Sequence, residues 1–194
     1  MSNEWDEYAE DWNTDPTVNE YAKHAFSSLS TEVDLQNLSV FDFGCGTGAL
    51  TELISPMVKS VVALDTSAKM IDFLDAKHLS NVLSISEVLS QELIERNQLL
   101  KQKFDLIVAS SVCSFLPDYP STLKLLKSML KPNGIFIQWD WAAASENSET
   151  GLSKNTIEDA FLQSELTDVE IKFPFEMQSS QGSLPVIMAI GRNS

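Results

Sequence analysis

Apolar and polar positions follow two different periods along the chain from residue 38 onward. Short apolar runs rich in branched residues predict buried strands, and apolar residues at every third or fourth position predict amphipathic helices. The predicted strands cover residues 38–43, 60–65, 81–86, 104–110 and 135–141. Predicted helices follow the first four strands, at 49–56, 68–77, 88–101 and after Asp118, which suits a helix N-cap. Because strands that alternate with helices pair in parallel, the pattern indicates repeated βαβ units.

The segment before the first strand is predicted to be helical. Trp5, Tyr8 and Trp12 share one helical face, with acidic residues between them. Pro16 interrupts this pattern, and a second helix is predicted near residues 17–29.

The C-terminal part departs from the alternation. Residues 131–134, KPNG, have the composition of a turn that ends the fourth predicted helix. Two further strands are predicted at 169–175 and 185–190, joined by the polar segment 178–183. A short polar connection of this kind predicts an antiparallel pair, which brings the number of predicted strands to seven.

The composition favours a single domain. The chain has 194 residues, of which 43% are hydrophobic, and this length suits one filled core. Its formal net charge of -15 repels phosphate backbones, so RNA and DNA are not expected as substrates. Without an apolar run of about 20 residues or a basic leader, the protein is expected to be soluble and cytoplasmic. Cys45 and Cys113 have no metal-ligand spacing and are expected to be reduced thiols.

Residues 40–49, VFDFGCGTGA, lead an apolar strand into a loop that contains three glycines. Alternate glycines let the backbone adopt conformations closed to other residues and leave space for a ligand against the main chain. Helix-forming residues follow at once. The loop is therefore expected to lie at the carboxyl end of a strand, where open α/β sheets bind nucleotide-like ligands.

Two kinds of cofactor fit such a loop. Gly44, Gly46 and Ala49 satisfy the dinucleotide pattern G-x-G-x-x-G/A, and Asp65 lies near the spacing of a ribose-binding acid. Asp42 favours the other kind, because an acid two positions before the first glycine suits a ligand with an ammonium group and no phosphate. A pyrophosphate at this place would be repelled.

With Asp42, the Gly-Cys-Gly-Thr-Gly run and Asp65 after the next strand, the chain resembles the class I S-adenosylmethionine-dependent methyltransferases. The resemblance extends along nearly the whole chain. It implies an α/β fold with a doubly wound, Rossmann-like, seven-stranded sheet in the order 3-2-1-4-5-7-6, mostly parallel, with the last strand antiparallel. It also implies one methyltransferase domain over residues 1–194, with residues 1–36 as an N-terminal helical lid or cap.

The resemblance assigns cofactor-binding residues by motif. The glycine loop surrounds the methionine part of the cofactor, and Asp42 meets its ammonium group. In the second motif, residues 61–70, Asp65 accepts hydrogen bonds from both ribose hydroxyls. The residue that receives the adenine amino group falls within residues 86–88 after the third strand, where Glu87 is the candidate, and Ser110 touches the cofactor beside its sulfonium. The cofactor-binding residues implied by the resemblance are Asp42, Gly44, Cys45, Gly46, Gly48, Asp65, Thr66, Met70, Glu87 and Ser110.

Plainer explanations stay open for several of these residues. The glycine loop could form a tight strand-to-helix turn without any ligand. Asp65 could only cap the helix that follows it. Met70 could pack in the core instead of flanking the adenine ring.

The acceptor side carries few diagnostic residues. The segment after Ser110 lacks the Asn/Asp-Pro-Pro-aromatic tetrapeptide of similar enzymes that methylate nucleobases or glutamine, which argues against those acceptors. If a base is needed, the candidates are His24 and Asp140, although His24 also suits a surface position. Strand alternation places Asp140 on the face opposite its two tryptophan neighbours. Side chains that could form a lid or line a pocket, or simply pack on the sheet, are Tyr8, Trp12, Tyr21, Trp139 and Trp141.

The sequence thus predicts an S-adenosylmethionine-dependent methyltransferase that transfers a methyl group to an unidentified small-molecule acceptor by in-line displacement. S-adenosylhomocysteine would be the product, and the protein would act as a monomer or homodimer without a metal, nucleic acid or membrane. One alternative is a regulatory module that binds the cofactor without turnover. The other is a nicotinamide-dependent oxidoreductase, although no Tyr-x-x-x-Lys pair exists and Tyr119 is the only tyrosine near the later strands.

Overall fold

The structure is a computed structural model, and it describes residues 4–145, 148, 150–179 and 182–194. The strands are β1 (Ser39–Phe43), β2 (Ser60–Asp65), β3 (Val82–Ser86), β4 (Phe104–Ser110), β5 (Leu130–Trp141), β6 (Thr167–Ser179) and β7 (Gly182–Arg192). The helices are α1 (Glu4–Thr14), α2 (Pro16–Glu32), α3 (Ala49–Ile54), α4 (Ala68–Asp75), α5 (Gln91–Arg96), α6 (Gln98–Lys101), α7 (Tyr119–Met129) and α8 (Lys154–Gln163).

The strands form one seven-stranded sheet in the order β3-β2-β1-β4-β5-β7-β6. The pairs β1–β2, β2–β3 and β4–β5 are parallel, and β7 is antiparallel to both β5 and β6. The predicted doubly wound α/β fold and its strand order are therefore confirmed.

The chain divides into two compact units, Met1–Gln102 and Lys103–Ser194. In the first unit, β1 and β2 are almost entirely buried, as apolar strands of a parallel sheet are when both faces are covered. Their register places Phe43 beside Leu64, so β1 and β2 end at the same edge. This edge carries the glycine loop after β1 and Asp65 at the end of β2.

The two N-terminal helices belong to the first unit. Asp15 caps α2 by accepting the amide hydrogen of Thr17, and Pro16 occupies the first helical turn, where its missing N–H costs no hydrogen bond. The predicted break at this proline is confirmed. Helix α1 packs against α4, and α2 packs against α3.

One predicted helix and one predicted turn differ from the observed structure. The predicted helix 88–101 is two short helices, because the Asn97 side chain accepts the amide hydrogen of Leu99 and starts a new helix there. The predicted turn at 131–134 lies within β5 instead. The register between β4 and β5 shifts there, and Asn133 has a positive φ of 62°, so the turn-like residues form a bulge.

The second unit also contains a helix that the sequence analysis missed. Helix α8 begins after Ser153, which accepts the amide hydrogen of Thr156 as an N-cap. The predicted cap of α7 at Asp118 is confirmed, since its carboxylate accepts from the amide of Ser121. Residues 180 and 181 of the predicted polar connection lie outside the described residues. Among the described helices, none is long and apolar enough to cross a membrane.

Candidate cofactor site

The glycine loop turns back onto the end of β2. The backbone amides of Gly44 and Cys45 both donate to the carbonyl oxygen of Leu64, at 2.8 and 3.1 Å. Gly48 directly precedes α3 with φ at +80°, in the left-handed region that favours glycine. A Cβ atom built on Gly48 would lie 2.4 Å from Cδ1 of Leu74, so Leu74 would have to shift before any side chain could be placed there.

Asp65 connects the two loops at this edge. Its Oδ2 accepts the amide hydrogen of Gly46, and its Oδ1 accepts that of Ser67, both at 2.9 Å. Burial raises the pKa of the Asp65 carboxyl, while these backbone hydrogen bonds lower it and the nearby Asp6 raises it further. Helix α4 is capped by Ser67, whose Oγ accepts the amide hydrogen of Met70, and not by Asp65. Each Asp65 oxygen retains a lone pair for a ligand, because a carboxylate offers about four acceptor positions.

Asp42 is a carboxylate almost completely buried beneath the glycine loop. Its side chain is 1% exposed, and Oδ2 accepts a short hydrogen bond of 2.6 Å from the Thr51 hydroxyl. Within the described residues, Oδ1 of Asp42 has no hydrogen-bond partner. The pKa of Asp42 is raised to about 7, because burial and, to a smaller extent, the charge of Asp65 raise it more than the Thr51 hydrogen bond lowers it. An unpaired acceptor in this position fits a ligand that carries an ammonium group.

The remaining predicted cofactor residues lie in varied surroundings. Cys45 is buried, and burial together with Asp42 and Asp65 holds the pKa of its thiol well above the usual range, so it is no nucleophile. Thr66 is exposed after β2, whereas Met70 is 3% exposed and packs in the core. Glu87 pairs with the Arg96 guanidinium. In the second unit, Ser110 is the half-buried last residue of β4.

The comparison with known families decides which of the two cofactor classes this loop serves. Residues 41–136 match the model of a methyltransferase domain family, and the matched range contains Asp42, the glycine loop and Asp65. The chain belongs to the class I S-adenosylmethionine-dependent methyltransferases. S-adenosylmethionine is the cofactor of that family, as the resemblance implied.

Named relatives of this methyltransferase chain cover only part of its length. The ubiquinone biosynthesis O-methyltransferase of Pelagibacter ubique is 32% identical over 111 residues, which are 57% of this chain and 45% of that protein. The chain thus spans about half the length of the curated relatives it matches.

Two solved methyltransferase structures have the same fold over nearly the whole chain. A chain in the complex of the Haloferax volcanii Trm112 methyltransferase activator with a putative methyltransferase superposes with a TM-score of 0.76 and 16% identity, covering 100% of this chain and 99% of that chain. The N-methyltransferase NodS of Bradyrhizobium japonicum, in complex with S-adenosylhomocysteine, has a TM-score of 0.67 and 20% identity, covering 98% and 99%.

The two candidate bases of the methyltransferase chain differ in exposure. Asp140 is fully buried, and its oxygens accept from the Ser114 amide at 3.1 Å and the Gln138 side chain at 3.0 Å. The pKa of Asp140 is raised to about 7, because burial raises it more than these hydrogen bonds lower it. His24 lies on α2 with its side chain 45% exposed, 3.9 Å from Glu20. A catalytic role for either residue stays a prediction.

The predicted lid and pocket residues are divided between the two units. In the first unit, Tyr21 is buried, Tyr8 is 57% exposed, and the Trp12 indole covers the glycine loop, with Nε1 at 3.4 Å from a Cβ atom built on Gly46. The second unit contains the fully buried Trp139 and the half-buried Trp141.

Sequence reasoning missed three polar residues at this site. Asp6 accepts a hydrogen bond from the Ser67 hydroxyl at 2.5 Å, although 61 positions separate the two residues. Thr51 is the partner of Asp42. The sequence offered a local signal for two of them, because Thr51 lies in the first turn of α3 after the glycine loop and Ser67 caps α4 after Asp65. It offered no such signal for Asp6.

Proposed function

We propose that this chain binds S-adenosylmethionine at the loops after β1 and β2 and transfers its methyl group to a small-molecule acceptor. The observation that carries the proposal is the pair of carboxylates at one strand edge: Asp42, with an unpaired buried oxygen, and Asp65, held by two backbone amides. A cofactor with one ammonium and one ribose diol matches this pair.

Asp65 is suited to the ribose. Its two oxygens are fixed by the amides of Gly46 and Ser67, so the carboxylate is already oriented before a ligand arrives. The remaining lone pairs can accept from two neighbouring hydroxyls at once. Such preorganisation reduces the entropy that binding must overcome.

Asp42 is suited to the amino group and opposes a pyrophosphate. A dinucleotide would bring two negative charges to a loop that already has Asp42 and Asp65 beside it, and burial strengthens that repulsion. This charge arrangement favours S-adenosylmethionine over a nicotinamide cofactor.

The cofactor, when bound, supplies the methyl group from its sulfonium. The protein's own contribution to such a displacement is alignment of the acceptor and exclusion of water. We assign the alignment of the cofactor to the glycine loop and Asp65, and the cover to Trp12 on α1. His24 and Asp140 are the candidate bases for an acceptor that must lose a proton.

A small acceptor is supported by charge and by similarity. The net charge of -15 disfavours nucleic acids. The similar protein from Pelagibacter ubique carries the name of an O-methyltransferase of ubiquinone biosynthesis. We propose one catalytic domain over residues 1–194, with residues 1–36 as its cap, acting as a monomer or homodimer.

The test is calorimetric titration of the purified protein with S-adenosylhomocysteine, S-adenosylmethionine and NADH. We expect saturable binding of the first two and none of NADH. Transfer of a labelled methyl group to members of a small-molecule acceptor panel then separates an enzyme from a regulatory module without turnover. Binding of NADH alone, or of no ligand, would overturn the proposal.

Binding of the amino acid part should release protons near neutral pH. With a pKa of about 7, Asp42 is about half protonated at pH 7, and an ammonium beside Oδ1 lowers that pKa. S-adenosylhomocysteine should therefore release about half a proton at pH 7, and its affinity should fall as the pH drops from 7 to 5. Titrations in buffers of different ionisation enthalpy measure this release.

Methylthioadenosine is the matched control for that experiment. It retains the adenosine and the sulfur but lacks the amino acid part, so Asp65 meets the same ribose while Asp42 meets no ammonium. We expect the binding of methylthioadenosine to release far fewer protons than the binding of S-adenosylhomocysteine. Equal proton release by the two ligands would contradict the role of Asp42.

A further inference from the structure

Helix α1 is attached to both loops that Asp65 connects. At its N-terminal end, Asp6 accepts from the Ser67 hydroxyl at 2.5 Å, and the Lys69 amide points to the same oxygen at 3.4 Å. One and a half turns later, Trp12 lies against Gly46. Six residues of helix span about 9 Å, so α1 extends from the α4 cap to the glycine loop.

The two attachment points are the residues whose amides hold Asp65. Gly46 and Ser67 each donate a backbone hydrogen to the Asp65 carboxylate. A ligand that binds the remaining Asp65 lone pairs therefore lies close to α1. Movement of this helix would change access to Asp65 without altering the carboxylate itself.

The Asp6 contact opposes an electrostatic repulsion. Helix α1, EWDEYAEDWNT, contains five acidic residues and no basic one. The charge of Asp6 contributes to the raised pKa of Asp65, so an acidic helix lies against an acidic site. The Ser67 hydroxyl offsets this repulsion, and its orientation is fixed because its oxygen also accepts the amide hydrogen of Met70.

We propose that Asp6 is a positioning residue for the cofactor, which acts through Ser67 to fasten α1 over Asp65 and so sets how fast the ligand enters and leaves. This inference rests on the proposed function, because it takes S-adenosylhomocysteine as the ligand of Asp65. Aromatic contacts of Trp5 with Tyr8 and Trp12 keep the other side chains of α1 together, so the Asp6 contact can be removed separately.

The test compares four proteins: wild type, Asp6→Ala, Asp6→Asn and Glu7→Ala. Glu7 is the exposed acidic neighbour on the same helical turn and serves as the control for loss of charge. Stopped-flow tryptophan fluorescence measures association and dissociation rates of S-adenosylhomocysteine, and hydrogen–deuterium exchange measures the protection of α1 amides without ligand.

For Asp6→Ala we expect both rates to rise about tenfold, a dissociation constant within about threefold of wild type, and faster exchange along α1. Asp6→Asn retains an oxygen that accepts the Ser67 hydroxyl and should stay near wild type, as should Glu7→Ala. Unchanged rates and exchange in Asp6→Ala would overturn the proposed role of Asp6, as would equal effects of Glu7→Ala. If wild type does not bind S-adenosylhomocysteine, the proposed function fails, whereas the exchange data still decide whether Asp6 fastens α1.

Discussion

Substitution of Asp65 by alanine should lower the affinity for S-adenosylhomocysteine by at least about 100-fold. The two proposed hydrogen bonds from ribose hydroxyls go to a charged group, and each such bond contributes about 1.5–3 kcal/mol. Their combined loss, about 3–6 kcal/mol, corresponds to at least two factors of ten in the dissociation constant. Calorimetric titration of wild type and Asp65→Ala measures the change directly.

Two controls separate lost contacts from lost folding. Asp72→Ala removes an exposed acid from α4 and should leave the affinity within about twofold of wild type. Urea unfolding of Asp65→Ala reports whether the amides of Gly46 and Ser67 stay ordered without their acceptor. A folded Asp65→Ala protein that binds as tightly as wild type would remove Asp65 from the cofactor site.

Strands β2 and β4 were predictable because each is short, apolar and closed by a polar residue. Phe104–Ser110 and Ser60–Asp65 were predicted with their observed bounds, since burial on both faces leaves a continuous hydrophobic run. Leu130–Trp141 was predicted too short. A bulge at Asn133 lets turn-forming residues stay within the strand, and no local pattern separates such a bulge from a turn.

The motif residues of the site were predictable for a related reason. Asp42 and Asp65 each lie at a fixed place relative to a strand end, and parallel register brings neighbouring strand ends together. Asp6 was not predictable, because its contact with Ser67 depends on how α1 packs against α4. An acid in an exposed-looking helical pattern carries no signal of such a tertiary contact.

The buried carboxylates also explain why this edge is suited to a cationic ligand. Burial is the main cause of the raised pKa values of Cys45 and Asp42; the charges of Asp42 and Asp65 raise that of Cys45 further, and the charge of Asp65 adds to that of Asp42. Mutual repulsion of this kind lowers stability unless a proton or a cation reduces the charge. A ligand with an ammonium group would remove that repulsion, so binding and stability should increase together.

The glycine at position 48 should be essential for stability as well as for the loop. For Gly48→Ala we expect a loss of about 2–5 kcal/mol in the free energy of unfolding. A left-handed conformation costs a non-glycine residue about 1–2 kcal/mol, and overpacking of a core site adds about 1–3 kcal/mol. Equilibrium unfolding in urea measures the loss.

Comparison of Gly48→Ala with Gly46→Ala isolates the steric part of that loss. Gly46 also has a positive φ, at +55°, but an added Cβ would lie 3.4 Å from its nearest neighbour, whereas the one at Gly48 would lie 2.4 Å from Leu74. Leu74 is 2% exposed and has little room to withdraw. Gly46→Ala should therefore cost only the conformational part, and Leu74→Ala should be less harmful in the Gly48→Ala background than alone. Equal losses for both glycine variants, with no coupling to Leu74, would show that backbone strain alone selects glycine in this loop.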